Sequence, residues 1–134
     1  MSAPEEAFRT ALTGAMAASP AVQTVLGSPL RLYEERSRDA AYPHASWGKA
    51  ESREQGAAEV TLIEHRLTLD IWCRDRDAMP TTAAVREAIR EIDIVLPAPW
   101  RLVSLGPAYS DGFATRDPRV KRGLIRLRAL IARS

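Results

Sequence analysis

From Glu64 to Ile71 the chain alternates, with His65, Leu67, Leu69 and Ile71 on one side and Glu64, Arg66, Thr68 and Asp70 on the other. A period of two marks a strand with one dry and one wet face. The pattern returns near the C-terminus. There Gly123, Ile125, Leu127, Ala129 and Ile131 alternate with Arg122, Leu124, Arg126 and Arg128, predicting a final strand over 121–132. Less regular runs predict strands over 30–36 (LRLYEER), 41–52 (AYPHASWGKAES) and 100–109 (WRLVSLGPAY). Pro43 puts the second of these at a sheet edge or makes it a strand start, because proline brings no N–H to a ladder.

Three segments carry the helical period instead. Over 2–18, Ser2 is a cap, Glu5 completes a Ser-x-x-Glu box and Pro4 sits in the first turn. Phe8, Leu12 and Met16 then follow at i+4 spacing beside Ala11 and Ala15, a narrow stripe suited to docking on a sheet. Over 19–29, Ser19 caps, Pro20 starts, Val22, Val25 and Leu26 face inward and Gly27 stops a short second helix. Over 81–92, Val85, Ala88, Ile89 and Ile92 fall on one helical face. Segments 53–59, 75–82 and 110–120 read as polar loops. The order is helix, helix, three strands, helix, two strands. Runs of consecutive strands predict an α+β fold with an antiparallel or mixed β-sheet and helices packed on one face. The opposite face is left to water or to a partner.

A length of 134 residues fits a single domain, 1–134, whose core buries somewhat under about 70% of the unfolded surface. Apolar residues at 46% and charged residues at 27% place the chain among ordinary globular domains. No apolar run approaches the roughly 18 residues of a membrane span. The acidic start MSAPEEAF lacks the charged-then-apolar order of a signal peptide, so the expected compartment is the cytoplasm. The single cysteine, Cys73, rules out an internal disulfide and fits a reducing compartment.

Little in the chain has the spacing of a reactive site. His44 and His65 stand apart from any Cys or Asp partner at zinc spacing; His65 reads as a half-buried, satisfied histidine and His44 as an exposed one. Cys73 shares a strand face with His65 only eight residues away, about 26 Å at roughly 3.3 Å per residue, against the ~3 Å of proton transfer. A buried, inert thiol is expected. The carboxylate pairs Glu5/Glu6, Glu34/Glu35 and Asp75/Asp77 lack the apolar frame that tunes an acid, and the glycines form no phosphate cradle. No catalytic residue, metal or cofactor is therefore assigned.

Charge is more informative in its placement than in its sum. The net charge is +2, too small for strong nucleic-acid affinity, yet residues 116–133 hold Arg116, Arg119, Lys121, Arg122, Arg126, Arg128 and Arg133 against Asp117 alone. Three readings stand: a solvated sheet face, a protein contact with acidic partner loops, or a nucleic-acid surface. The last lacks interleaved aromatic residues, since only Phe113 is near.

Taken in order, MSAPEEAFRTALTGAMAASPAVQTVLG, RLYEE, YPHASWGKAES, EHRLTLDIWCR, AAVREAIREI, WRLVSLG and the basic last strand resemble the tail-completion (tail terminator) family of long-tailed phages. The chain looks especially like the version carried by gene transfer agents. The resemblance spans nearly the whole chain and rests on structural motifs. It implies a structural, non-enzymatic, ring-forming subunit. Such a homo-hexamer caps the tail tube, ends its elongation and joins the head-tail connector (stopper or adaptor) protein. Its partners would be copies of itself, the major tail tube protein and the connector, and DNA would pass through the hole without specific binding. It would be assembled in the host bacterial cytoplasm and reside in the virion at the head–tail junction. The family has no catalytic residues to carry over.

Segments 49–59 and 106–120 occupy positions where such rings contact neighbours. With the basic strand they give Glu51, Arg53, Glu54, Asp111, Arg116, Arg119, Arg122, Arg126 and Arg128 as expected subunit or partner contacts. A compact chain of this length has a radius of gyration of about 14 Å, so six in a closed ring leave a hole of roughly 35 Å. The alternative function is a small nucleic-acid-binding module using Arg122, Arg126 and Arg128. A hydrolase or metal enzyme has almost no support in the residues.

Overall fold

The computed structural model describes residues 3–56 and 59–133. Helices α1 (Pro4–Ala18) and α2 (Pro20–Leu26) come first, followed by strands β1 (Leu32–Tyr33), β2 (His44–Glu54) and β3 (Leu62–Arg74). Helix α3 (Ala78–Arg90) then leads into β4 (Trp100–Ala114) and β5 (Val120–Arg133). The strands form one five-stranded sheet in the order β1-β2-β3-β5-β4. β1 pairs with β2 in parallel and the other neighbours are antiparallel, so the sheet is mixed.

All three helices lie on one face. The register sets Leu67 opposite Leu127, Leu69 opposite Ile125 and Ile71 opposite Gly123, so β3 and β5 present a continuous apolar strip. Phe8, Leu12 and Met16 of α1, Val22 and Leu26 of α2, and Val85, Ala88 and Ile89 of α3 join it in one buried cluster. Each large apolar side chain fully withdrawn from water contributes about 1.5–3 kcal/mol, which makes this face the main source of stability.

The first turn of α3 approaches the sheet over a glycine pair. Gly112 of β4 lies directly opposite Gly123 of β5. A Cβ at Gly123 would meet Thr82 Oγ1 at 1.7 Å, and one at Gly112 would meet Met79 Cγ at 3.2 Å. The bare backbone there is what lets the helix sit down.

Several boundaries differ from the sequence reading. Ala3 is the N-cap of α1 and makes no side-chain cap bond, while Ser2 lies outside the described residues. β1 is two residues long, because the segment around it turns. α3 starts at Ala78, earlier than expected, since Asp77 accepts a hydrogen bond from the Met79 N–H and caps it. β4 runs through the supposed 110–120 loop to Ala114, and β2 extends to Glu54, so both expected contact loops are largely strand. Ser19 caps α2 as expected, accepting from the Val22 N–H, and Gly27 closes it at φ 84°.

His44 is also corrected: it is fully buried, not exposed. Of the two readings of Pro43 the strand start holds, since β2 begins at His44, and the edge fails because β1 pairs outside that start. Tyr33 and Tyr42 then close over the imidazole, at ring separations of 5.7 and 4.9 Å.

Candidate interface on the open face of the sheet

The face without helices is polar, and at its centre the carboxylates of β3 are withdrawn from water. Glu64 and Asp70 of β3 are only 5% and 6% exposed. They are shielded by arginines from β3 itself and from neighbouring β5. Arg128 Nε donates to Glu64 at 2.9 Å and Arg66 Nε donates to the other carboxylate oxygen at 2.8 Å. Arg122 donates to Asp70 through two nitrogens at 2.8 and 2.9 Å. The Arg128 hydrogen bond is the largest cause holding the Glu64 carboxyl below its ordinary range. A guanidinium fork meets a carboxylate in a fixed geometry, so these pairs also fix the arginines.

Arg122 and three further arginines lie over aromatic rings. Arg36 is 4.4 Å from the Trp72 ring centre, and Arg122 lies 5.8 Å from Trp72 and 5.7 Å from Phe113. Arg74 lies 5.9 Å from Tyr42 and Arg126 lies 5.5 Å from Tyr109. The Trp72 indole N–H donates to Ser46 Oγ at 2.9 Å, which holds the ring in place. At the C-terminal end of β3, Tyr42, Trp72 and Phe113 help to line a hollow of about 510 Å³. Arg36, Arg38, Arg74, Arg116 and Arg122 line it, with Asp117 as the lining carboxylate. Apart from Arg122, these arginines form no ion pair among the described residues.

The expected contact residues fall into separate groups. Arg116 and Arg122 meet in the hollow. Arg128 and Arg126 lie further along the open face of β5. Asp111 is in β4, accepting from the Tyr109 hydroxyl at 2.6 Å and the Gly112 N–H at 2.7 Å. Arg119 is tied to Asp75 at 2.8–2.9 Å. Glu51, Arg53 and Glu54 sit at the far end of β2. Arg36, Arg38, Arg74, Tyr42 and Trp72 were missed. Their only signal in the sequence was period-two placement, Arg36 with Arg38 and Trp72 with Arg74. The expected lack of aromatic interleaving is corrected as well, since the rings come from β3 and β4.

The ionisable groups on the helix side are arranged differently. His65 is 4% exposed, packs edge-on against Phe8 and shares a 2.8 Å hydrogen bond between Nδ1 and Ser52 Oγ. Ser52 Oγ in turn donates to Glu5 at 3.0 Å. The hydroxyl thus stands between carboxylate and imidazole. In a nucleophilic triad the imidazole stands in the middle, so that it can take the hydroxyl proton. With the Ser52 proton given to Glu5, Nδ1 is the donor to Ser52, and the chain of bonds ties α1 to β2 and β3. Burial lowers the pKa of His65 and His44 and raises that of Cys73, which is fully buried as expected. Among the described residues no three His, Cys, Asp or Glu side chains cluster to hold a metal ion, and no helix is long and apolar enough to cross a membrane.

A family profile described as tail completion protein gp17 matches residues 10–132. A chain in the solved virion of a native gene transfer agent (GTA) particle has the same fold, with a TM-score of 0.79 at 17% sequence identity. The match covers 98% of this chain and 99% of that one. No curated protein sequence matches.

Proposed function

The chain belongs to the tail completion protein gp17 family, and from that premise we propose that it is a structural virion component that finishes a tail. Six copies close into a ring on the end of the tail tube. The ring stops elongation, offers its other side to the head-tail connector and leaves a hole for DNA.

The observation that carries this reading is the open sheet face. Its carboxylates are buried under arginines from the sheet, and several further arginines are left without a carboxylate. A surface so ordered and so incompletely neutralised is built for contact. The fold shared with a chain of the GTA virion supports the same reading. The size estimate supports it too, because subunits of about 36 Å diameter leave a hole of roughly 35 Å in a six-membered ring, before loops fill part of it. Arg122 and Arg128, two of the three arginines on which DNA binding would rest, are already paired with Asp70 and Glu64. Ordinary phosphate contacts need free cations.

The test is mass and partner together. Light scattering should find a six-copy species at high concentration or after mixing with tail tubes, and particles made without the protein should carry unjoined tails of irregular length. A protein that stays single under all these conditions, with normal tails built in its absence, refutes the proposal.

A further inference from the structure

The arginine hollow and the β2–β3 connection lie at opposite ends of the same strand. β3 spans thirteen residues, so the two ends are about 40 Å apart at roughly 3.3 Å per residue. The spacing between neighbours in the ring proposed above is about 36 Å. With β3 laid along the circumference of that ring, a tip at one end of a subunit would reach the opposite end of the next.

Charge distinguishes the two ends. The hollow holds Arg36, Arg38, Arg74 and Arg116 without ion pairs among the described residues, and the Arg36 Nε–H is buried with no hydrogen-bond partner there. From Glu54 to Thr61 the chain carries two acids and no base. Glu54 and Glu59 are exposed, and Val60 beside them is 60% exposed. We infer that the hollow of one copy receives the acidic β2–β3 tip of a neighbouring copy. Glu54 and Glu59 are set against Arg36, Arg74 and Arg116, and Val60 rests on the exposed edge of Phe113. The inference rests on the ring reading and names the contact that closes it.

Nucleic acid fits the hollow less well. Base stacking needs open aromatic faces, and here Arg36 and Arg122 lie over Trp72 while Arg74 lies over Tyr42. A concave hollow of about 510 Å³ suits side chains offered by a protein neighbour. The phosphates of a duplex run along a ridge.

The experiment uses two full-length charge reversals at exposed positions, Arg74→Glu/Arg116→Glu and Glu54→Arg/Glu59→Arg. Like charges set across an interface repel, so each variant alone should associate at least about tenfold more weakly than the parent. Mixed in equal amounts, the two should recover association within about threefold of the parent. In an alternating ring of six every contact again joins opposite charges, whereas a misfolded variant would not recover on mixing. Parent-like rings from either variant alone, or no recovery in the mixture, overturn the inference and leave the ring reading standing. Loss of duplex DNA binding in Arg74→Glu/Arg116→Glu with association intact also overturns it. A parent that never associates, with or without tube ends, removes the ring reading and this contact with it.

Discussion

Replacing Gly123 with alanine tests how α3 is seated on the sheet. The new methyl would lie 1.7 Å from Thr82 Oγ1, 2.9 Å from Thr82 Cβ and 3.2 Å from its Cγ2. Rotating χ1 of Thr82 moves Oγ1 and Cγ2 but leaves Cβ where it is, so the 2.9 Å contact survives any rotamer. Thr82 is fully buried and β-branched, which leaves it few alternatives. The helix itself has to shift. Overpacking of this kind costs about 1–3 kcal/mol, and removing a strand glycine returns about 0.5–1 kcal/mol. The net expectation is a loss of about 1–2 kcal/mol. A chain of 134 residues has an unfolding entropy of about 0.28 kcal/mol/K, so Tm should fall by about 4–7 °C.

The assay is thermal unfolding followed by circular dichroism for the parent, Gly123→Ala, Thr82→Ala and the double variant. Thr82 Oγ1 is buried with no hydrogen-bond partner among the described residues, so Thr82→Ala alone should be mild. It should also relieve part of the clash, giving a coupling of about 0.5–1 kcal/mol in the double-mutant cycle. Two results refute the reasoning: a Tm for Gly123→Ala within about 1 °C of the parent, or the same loss whether or not Thr82 has been shortened.

Glu64, held below its ordinary 4.5 chiefly by Arg128, contributes stability that is fully present above that value and is lost as pH falls through the lower folded value. Glu64→Gln should flatten this acid limb in urea titrations. An unchanged slope would show that the carboxylate is not linked to folding. Cys73, buried and with its thiol pushed above the ordinary 9.0 by burial, should react with an aromatic disulfide only as fast as the protein opens. Prompt stoichiometric labelling of the native protein would contradict the packing. Ser19→Ala should cost about 1 kcal/mol in denaturant unfolding by removing the α2 cap. A loss near zero would mean the helix start is held by packing alone.

The dry side of the fold was legible because periodicity reports it directly. The alternation in β3 and β5 and the Phe8, Leu12, Met16 stripe all point into the observed core. What stayed hidden depended on residues distant in sequence. The Asp-Gly pair at 111–112 has the composition of a turn, yet Gly112 is a strand residue whose missing side chain makes room for Met79 of α3. His44 looked exposed because β1, which covers it, is only two residues long and has no pattern to read. The partners of Arg122 and Arg128 could not be read from the sequence because Asp70 and Glu64 lie 52 and 64 residues away. The hollow was least visible of all, since its arginines come from four separate parts of the chain.

The two faces of the sheet therefore rest on different physics. Apolar burial stabilises the helix side, whereas buried ion pairs of the kind found on the open side are weak evidence for stability. Their use is better explained by order than by strength. Of the 19 basic residues only Lys49 and Lys121 are lysines. An ammonium on a flexible stem would keep the charge but lose both the fork onto a carboxylate and the stack on a ring. Here the arginines at Trp72, Tyr109, Asp70 and Glu64 are already held before any partner arrives. Side chains ordered in advance lose less entropy on association, a cost of about 0.5–1.5 kcal/mol for each long side chain immobilised at an interface. In the proposed ring, where each subunit would join the same neighbours in the same geometry, a rigid polar face would favour assembly where a soft one would oppose it.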